Sequence, residues 1–195
     1  MIDIAPLNHE LWRQFDARMD AFHLHGYDKI SANAVAADFA DRVGHFDVVH
    51  CSGVLYHLPN PFELLVAMRT ITSEFLILTS MTIPLVIENS AGKMEVTGGR
   101  AIFVPALSET SRAIVREHFT SLGMRGDAIQ GLSQCDWLTP AGRPNFGPWW
   151  WLMPADVIKA MLDSLQFEIL REGESWRGLA ASFFCRKRSV VSVPK

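Results

Sequence analysis

Residues 46 to 61 read "FDVVHCSGVLYHLPNP" and place small, polar and aromatic side chains directly after an apolar run. His57 could act as a general base, because an unperturbed imidazole has a pKa of about 6.5 and is partly neutral at working pH. Tyr56 could wall a site or orient a reactant through its hydroxyl. The alternative for His57 is a structural role in ordering the loop before the helix that Pro61 starts.

The cysteines and the other histidines offer weaker chemistry. Cys51, Cys135 and Cys185 lie far apart, without the paired spacing of a zinc site or the density of a disulfide framework, so we expect a reducing, cytoplasmic setting. Cys51 could be a nucleophile, but free cysteines are commonly buried as small hydrophobes. We expect no metal site, because the remaining histidines lack carboxylate partners at ligand spacing: His23, His25, His45, His50 and His118.

Composition limits the class of protein. The 195 residues are 49% hydrophobic and 20% charged, which is enough for one well-cored domain with an elaborated lid. The net charge of −3 gives no strong nucleic-acid signal, and the basic run at residues 186–188 is expected to be a solvated tail. No apolar run approaches the roughly 20 residues that cross a bilayer, so no membrane partner is expected.

The first 80 residues alternate between strand and helix patterns. Phe46, Val48 and Val49 predict a buried strand, and Asn60 with Pro61 predicts the start of a helix. Alternation of this kind predicts an α/β fold with a mostly parallel sheet. The predicted strands are "MIDIA", "ISANAVAADF", "HFDVVHCSGV" and "EFLILTS". The predicted helices are residues 6–22 and the segment from Pro61. Apolar residues recur at helical spacing in both: Leu11, Trp12, Phe15, Met19 and Phe22 in the first, and Leu64, Leu65, Met68 and Ile71 on one face of the second.

The rest of the chain adds an insertion and an antiparallel end. Residues 85–99 predict a hairpin, residues 108–123 an amphipathic helix, and residues 133–151 an ordered, aromatic-rich loop over the site. A helix follows from Pro154, and two strands joined by a short turn predict an antiparallel pair. The expected organisation is 1–80 partial cofactor-binding core, 81–150 inserted lid or substrate region, 151–188 C-terminal helix and strands of the same domain, and 189–195 tail.

The motif "FDVVHCSGVLYHLPNPFELL", followed by a buried strand, an insertion and a closing antiparallel pair, resembles the class I S-adenosylmethionine-dependent methyltransferases. The subgroup whose fourth-strand motif ends in "GVLYHL", which includes enzymes that modify the wobble uridine of transfer RNA, is the most similar. The likeness runs from about Ile2 to Arg186. It implies a Rossmann-like methyltransferase sheet, S-adenosylmethionine as cofactor, and methyl transfer to a small-molecule or nucleoside-like acceptor.

The resemblance also implies site residues. Asp3 would hold the cofactor ribose, and Asp38 would reach the adenine with Phe39 beside it. Gly53 would let the backbone approach the cofactor closely. The fourth-strand motif would line the methionine end and the transferred methyl, and its members here are Cys51, Ser52, Gly53, Tyr56 and His57.

Aromatic and basic residues supply candidates for the acceptor. One of Trp149, Trp150 and Trp151 is expected to contact a planar substrate, while another packs in the core, because three consecutive side chains cannot all face one way. Arg143 could hold an anionic group, as could Arg100 or Arg177, although each is more often a surface residue.

One part of the family pattern is missing. No GxGxG occurs in the sequence, and the chain begins where the family has its second strand. Three explanations stay open: a truncated gene product, a second chain that completes the sheet, or a "MIDIA" strand that pairs with "FDVVHC". The third is favoured on hydrogen-bonding grounds if the chain folds alone, and it would remove Asp3 from its ribose role. The alternative function is a non-catalytic methyltransferase-like module or partner subunit that has lost cofactor binding.

Overall fold

A computed structural model describes residues 1–133 and 136–189. Cys135 and residues 190–195, which make up most of the expected tail, lie outside the described residues. The chain divides into two compact units, Met1–His45 and a second that starts at Phe46.

The first unit contains β1 (Ile2–Asp3), α1 (Glu10–Ala21), β2 (Ile30–Ser31) and α2 (Phe39–Val43). Strands β1 and β2 pair in parallel, with Ile2 opposite Ile30. Within the first unit the partner of "MIDIA" is therefore β2, and a pairing of "MIDIA" with "FDVVHC" stays a prediction. The backbone of Met1 reinforces the observed pairing, because its carbonyl accepts the Ile30 N–H at 2.9 Å.

Helix α1 confirms the predicted helix but not its predicted apolar face. His9 caps it, with Nδ1 accepting the Leu11 N–H at 3.2 Å. Of the apolar residues at helical spacing, only Trp12 is fully buried, and its indole donates to the Ala5 carbonyl at 3.0 Å. Leu11 and Phe22 are exposed. Helical spacing therefore identified the helix without identifying what covers it.

The second unit contains most of the strands and helices of the described residues. Its strands are β3 (Phe46–Ser52), β4 (Thr72–Met81), β5 (Val86–Asn89), β6 (Gly92–Glu95), β7 (Ile102–Phe103), β8 (Trp151–Leu152), β9 (Phe167–Ser175) and β10 (Ala180–Lys187). Its helices are α3 (Pro61–Ile71), α4 (Glu109–Ser121), α5 (Asp127–Ser133) and α6 (Ala155–Ser164).

A four-stranded sheet in the order β3-β4-β10-β9 organises this unit. Strands β3 and β4 are parallel, whereas β10 runs antiparallel to both β4 and β9. The α/β fold class is confirmed, with parallel pairing among the early strands and the predicted antiparallel pair at the C-terminal end.

Helix α3 follows its sequence signals closely. Asn60 caps it by accepting the Glu63 N–H through Oδ1, and Pro61 occupies the first turn, where a missing N–H costs nothing. The helix packs against β3 and β4. The predicted apolar face is confirmed, since all of its members are buried: Leu64, Leu65, Met68 and Ile71.

Strand β3 departs from the prediction of a buried strand. Val49 and Cys51 are buried, but Phe46 is 40% exposed and Val48 is 53% exposed. The reason is alternation: successive side chains of a strand point to opposite faces, and only one face of β3 is covered. In β4, Leu76 and Leu78 are fully buried and Phe75 and Ile77 only partly so.

The segment between β4 and α6 forms a hydrophobic cluster of its own. Strands β5 and β6 make the predicted hairpin, and α4 starts at the predicted cap, where Ser108 Oγ accepts the Ser111 N–H at 3.1 Å. The cluster is fully buried over most of its members, which include Met81, Val104, Val115, Phe119, Leu132 and Trp149.

Within residues 1–133 and 136–189, no helix combines the length and apolar character needed to cross a bilayer.

Candidate functional site

The carboxyl end of β3 turns sharply at Gly53. Gly53 has a φ of +74°, a left-handed conformation that favours glycine, and its N–H donates to the Thr79 carbonyl at 3.0 Å. A Cβ placed there would lie 3.5 Å from Cη2 of Trp176, whose indole is the only neighbour within 4 Å among the described residues beyond Gly53's own chain neighbours. The backbone at this point is therefore accessible.

The two residues before Gly53 face opposite ways. Ser52 is exposed, whereas Cys51 is buried, and burial raises the pKa of the Cys51 thiol to about 12. A thiol with so high a pKa holds almost no thiolate at neutral pH, which argues against a nucleophilic role.

Tyr56 and His57 lie on a short 3-10 turn, Leu55–His57, that follows directly. Leu55 is fully buried and anchors the turn, and the Tyr56 carbonyl accepts the Trp150 N–H at 2.8 Å. This contact joins two segments that are far apart in sequence. The turn thus presents both side chains from a fixed backbone.

A backbone hydrogen bond fixes the His57 imidazole. Nδ1 lies 2.9 Å from the Pro148 carbonyl oxygen. A carbonyl can only accept, so Nδ1 carries the proton and, in the neutral ring, Nε2 has a free lone pair. Burial lowers the pKa of His57, and hydrogen bonds to the backbone at Pro148 and Gly147 raise it less. The geometry therefore gives a neutral imidazole with one available basic nitrogen.

Tyr56 packs edge-on against Trp149, with ring centroids 6.1 Å apart and planes at 89°. It also lies beside the His57 ring at 4.3 Å. Burial raises the pKa of the Tyr56 hydroxyl, so that group stays protonated and able to donate at neutral pH.

These residues line a cavity of about 270 Å³. Aromatic, imidazole and thioether side chains form its walls, together with the backbone of Gly131 and Gly147. The lining side chains are Tyr56, His57, Met81, Met124, Trp149 and Trp176.

The three consecutive tryptophans have separate surroundings. Trp149 is buried in the hydrophobic cluster and lies so close over Gly131 that a Cβ there would overlap its indole Cδ1. Trp150 donates to the Asn145 carbonyl and Trp151 to the Pro59 carbonyl, at 2.8 and 2.9 Å. Among the described residues, Trp149 is the one of the three that lines the cavity.

Arg143 is exposed, in a turn where the Thr139 N–H donates to its carbonyl at 2.7 Å. It is not among the described residues that line the cavity.

Sequence reasoning missed Trp176. This residue and Arg177 both have left-handed backbone, with φ of 51° and 60°, which is uncommon for side chains of this size and often marks functional sites. Gly178 after the pair was a weak turn signal. Its role as a cavity wall depends on the fold, because Trp176 reaches Gly53 from a distant turn.

The other predicted cofactor residues belong to the first unit. Asp3 closes β1, where its Oδ1 accepts the Ala5 N–H at 2.8 Å. Asp38 precedes α2 and is exposed, without a side-chain capping bond, whereas Phe39 is buried. These observations leave the carboxylate of Asp38 and one oxygen of Asp3 without a hydrogen bond in the described structure.

A metal centre was not expected, and the described residues contain no group of three or more His, Cys, Asp or Glu side chains that could hold an ion.

Protein-family models and curated proteins give no match to this chain. Several solved structures are similar to it. An O-methyltransferase family 2 protein from Planctomyces limnophilus, in complex with apigenin, has a TM-score of 0.54 at 9% identity, over 96% of this chain and 42% of that one. An O-methyltransferase family protein from Burkholderia thailandensis has a TM-score of 0.53 at 15% identity, over 97% and 43%.

The CurJ carbon methyltransferase has a TM-score of 0.51 at 16% identity, over 96% of this chain and 41% of that one. The chain thus spans about two fifths of the length of each of these three structures. At such identities the likeness is one of fold, and it shows that the chain shares the α/β fold of these three structures.

Proposed function

We propose that this chain takes part in methyl transfer from S-adenosylmethionine to a small-molecule or nucleoside-like acceptor. The likeness in fold supports the general class, and the "GVLYHL" motif supports a place near the subgroup that carries it. The proposal assigns the floor of the cofactor site to Cys51, Ser52 and Gly53, and the acceptor site to the cavity beside them.

One observation carries the proposal: Trp176 connects the motif to the cavity. Its indole lies against Gly53 and also lines the cavity that holds Tyr56 and His57. Gly53 has no side chain, so a bound group could approach its backbone closely. Among the described residues beyond its chain neighbours, Trp176 alone lies within 4 Å of its Cβ position. The predicted cofactor glycine therefore neighbours Trp176, which lines the same cavity as the predicted catalytic pair.

The chemistry assigned to the residues is modest. S-adenosylmethionine, when bound, supplies the methyl group. His57 would accept the acceptor's proton at Nε2, while Nδ1–H stays on the Pro148 carbonyl and keeps the ring oriented. The Tyr56 hydroxyl would orient the acceptor. Much of the rate would come from placing the two reactants in line within the cavity.

Several further assignments belong to the proposal. Asp3 holds the ribose, and Asp38 with Phe39 holds the adenine. The position of Asp3 at the end of a parallel strand supports its role. Residues 81–150 serve as the lid, and Trp149 contacts the acceptor. The roles of Trp150, Trp151 and Arg143 have weaker support, because their described contacts lie outside the cavity lining.

Calorimetric titration with S-adenosylhomocysteine tests the cofactor site. We expect binding in the micromolar range and its loss in Gly53→Val, because the side chain both strains a left-handed residue and fills the approach. Gly98→Val is the matched control: Gly98 has a φ of +68° and open space around its Cβ position, so it carries similar strain away from the motif. Silence of the unaltered chain at millimolar ligand, or equal loss in both variants, would contradict the proposal.

The edge position of β3 in the four-stranded sheet of the second unit favours a second candidate, a non-catalytic methyltransferase-like module that a second chain completes. Strand β3 is the last strand on its side of the sheet, and its exposed Phe46 and Val48 are unusual for an edge, since parallel strands are normally buried. Sedimentation of the chain over a range of concentrations tests it. Self-association that Val48→Lys abolishes, without cofactor binding, would favour this candidate over the enzyme.

A further inference from the structure

The cavity beside Gly53 carries no formal charge at neutral pH. Among the described residues that line it there is no Asp, Glu, Lys or Arg. Its titratable members are both neutral, because burial raises the pKa of Tyr56 and lowers that of His57. An anionic or cationic ligand would lose its hydration here without gaining an opposite charge.

The walls suit a flat aromatic ligand that also carries a polar group. Tyr56 and Trp149 meet at a right angle, and Met81 and Met124 add polarisable thioethers, which make favourable contacts with aromatic rings. Trp149 packs over Gly131, and Trp176 lies near Gly53. Polar groups, among them the Tyr56 hydroxyl and the His57 imidazole, share the lining with the aromatic and thioether surfaces, and such a mixture is usual in small-molecule sites.

Size limits the ligand further. At about 270 Å³ the cavity is at the lower end of the range for small-molecule sites. It therefore suits one or two fused rings and excludes a large substrate from full burial. The basic nitrogen of His57 provides one hydrogen-bond acceptor for that ligand, because its partner nitrogen is engaged with Pro148.

We infer that the acceptor is a neutral aromatic molecule of one or two rings, with a hydroxyl that donates to His57 Nε2 and a ring face against Trp176. This inference rests on the proposed function for calling the ligand an acceptor. The binding it predicts does not require the cofactor. Trp176 is then a specificity-determining residue that also faces Gly53.

Tryptophan fluorescence and calorimetry, without cofactor, test the inference with 2-naphthol as the probe. Three comparison compounds each change one or more properties of the probe. 2-Methoxynaphthalene lacks the hydroxyl donor, 2-naphthoate is an aromatic anion, and choline is a non-aromatic cation. We expect 2-naphthol to bind at least about tenfold more tightly than each of them, because only it is neutral, aromatic and a hydrogen-bond donor. Tighter binding of 2-naphthoate or choline, or no preference for 2-naphthol, would overturn the inference.

Variants locate the binding. Trp176→Ala should weaken 2-naphthol binding at least about tenfold, whereas Phe62→Leu, which alters an exposed aromatic outside the lining, should leave it unchanged. His57→Phe should abolish the preference for 2-naphthol over 2-methoxynaphthalene while the fold, checked by circular dichroism, is retained. Unchanged affinity in Trp176→Ala, or an unchanged preference in His57→Phe, would contradict the assignment.

Titration of the same samples with S-adenosylhomocysteine separates this inference from the proposed function. Binding of 2-naphthol without binding of S-adenosylhomocysteine would remove the methyl-transfer proposal and keep the aromatic site. Binding of S-adenosylhomocysteine without binding of 2-naphthol would keep methyl transfer and overturn the acceptor class.

Discussion

The two faces of the four-stranded sheet differ in what covers them. On one face the paired residues of β3, β4 and β10 are buried together, as α3 and α6 pack against the strands. On the other face Val48 and Phe184 are exposed, and Phe75 stacks on Phe184 at 5.2 Å between ring centroids. The buried set is Val49, Cys51, Leu76, Leu78, Phe183 and Cys185.

The face that bears Val48 and Phe184, here called the open face, is apolar at one end and polar at the other. Its apolar end bears Val48 opposite Phe75, whereas its carboxyl end bears hydroxyls, with Ser52 opposite Thr79 and Thr79 opposite Ser182. The hydroxyl end adjoins Gly53, whose N–H donates to the Thr79 carbonyl. Apolar residues alternate onto both faces of these strands, which predicts burial of both faces. In the described structure only the face that bears Val49 and Leu76 is fully buried.

The largest expected effect comes from neighbouring residues of β4 on opposite faces. Leu78→Ala should lower the free energy of unfolding by about 2–5 kcal/mol, because Leu78 is fully buried and its removal leaves a cavity. Ile77→Ala should cost at least about 1 kcal/mol less, because Ile77 is only partly buried and its cavity opens to water. Urea unfolding measures both. Equal losses would mean that the second face is covered in solution.

Thiol labelling extends the comparison to β3. At pH 8, Cys51 should react at least about 100-fold more slowly than a cysteine at the adjacent exposed position in Ser52→Cys, with Cys135→Ser as the background. Burial raises the pKa of Cys51 to about 12, so its labelling rate should keep rising with pH up to about that value, whereas the rate at an exposed cysteine of ordinary pKa, about 8.5, should level off above that pH. Mass spectrometry of the labelled peptides gives the two rates. Comparable rates would contradict the assignment of faces.

Much of the fold was predictable because its signals are local. The Asn60 and Pro61 pair, the apolar spacing of α3, the Ser108 cap and the hairpin turn each depend on residues within one or two turns of chain. Helical spacing did not predict which side chains of a helix are buried, since Leu11 in α1 and Phe22 at its C-terminal cap are exposed. The pattern of a helix does not say what packs on it.

The site was predictable only in part for the same reason. Tyr56, His57 and Trp149, all expected at the site, line one cavity. Trp176, Met124 and Gly131 join them from distant segments, and no local spacing in the sequence links these residues. The tautomer of His57 likewise depends on the Pro148 carbonyl, 91 residues away. Pairings of this kind follow from tertiary structure.

The smallest effect concerns the hydroxyls at the carboxyl end of the open face. Thr79 Oγ1 lies 2.7 Å from Ser182 Oγ, which lies 2.5 Å from Ser175 Oγ. Thr79→Val should lower the free energy of unfolding by about 1 kcal/mol, because it removes one bond from a mostly buried chain of hydroxyls.

Thr70→Val is the matched control for this change, since Thr70 donates to the Val66 carbonyl at 2.9 Å from an exposed position on α3, and a surface substitution there should change the free energy by no more than about 0.5 kcal/mol. A loss in Thr79→Val no larger than in Thr70→Val would show that solvent reaches the hydroxyl end as freely as it reaches the surface of α3. The polar end of the open face would then be a hydrated surface, and the hydrogen bond from the Gly53 N–H to the Thr79 carbonyl would be the contribution of Thr79 to the Gly53 turn.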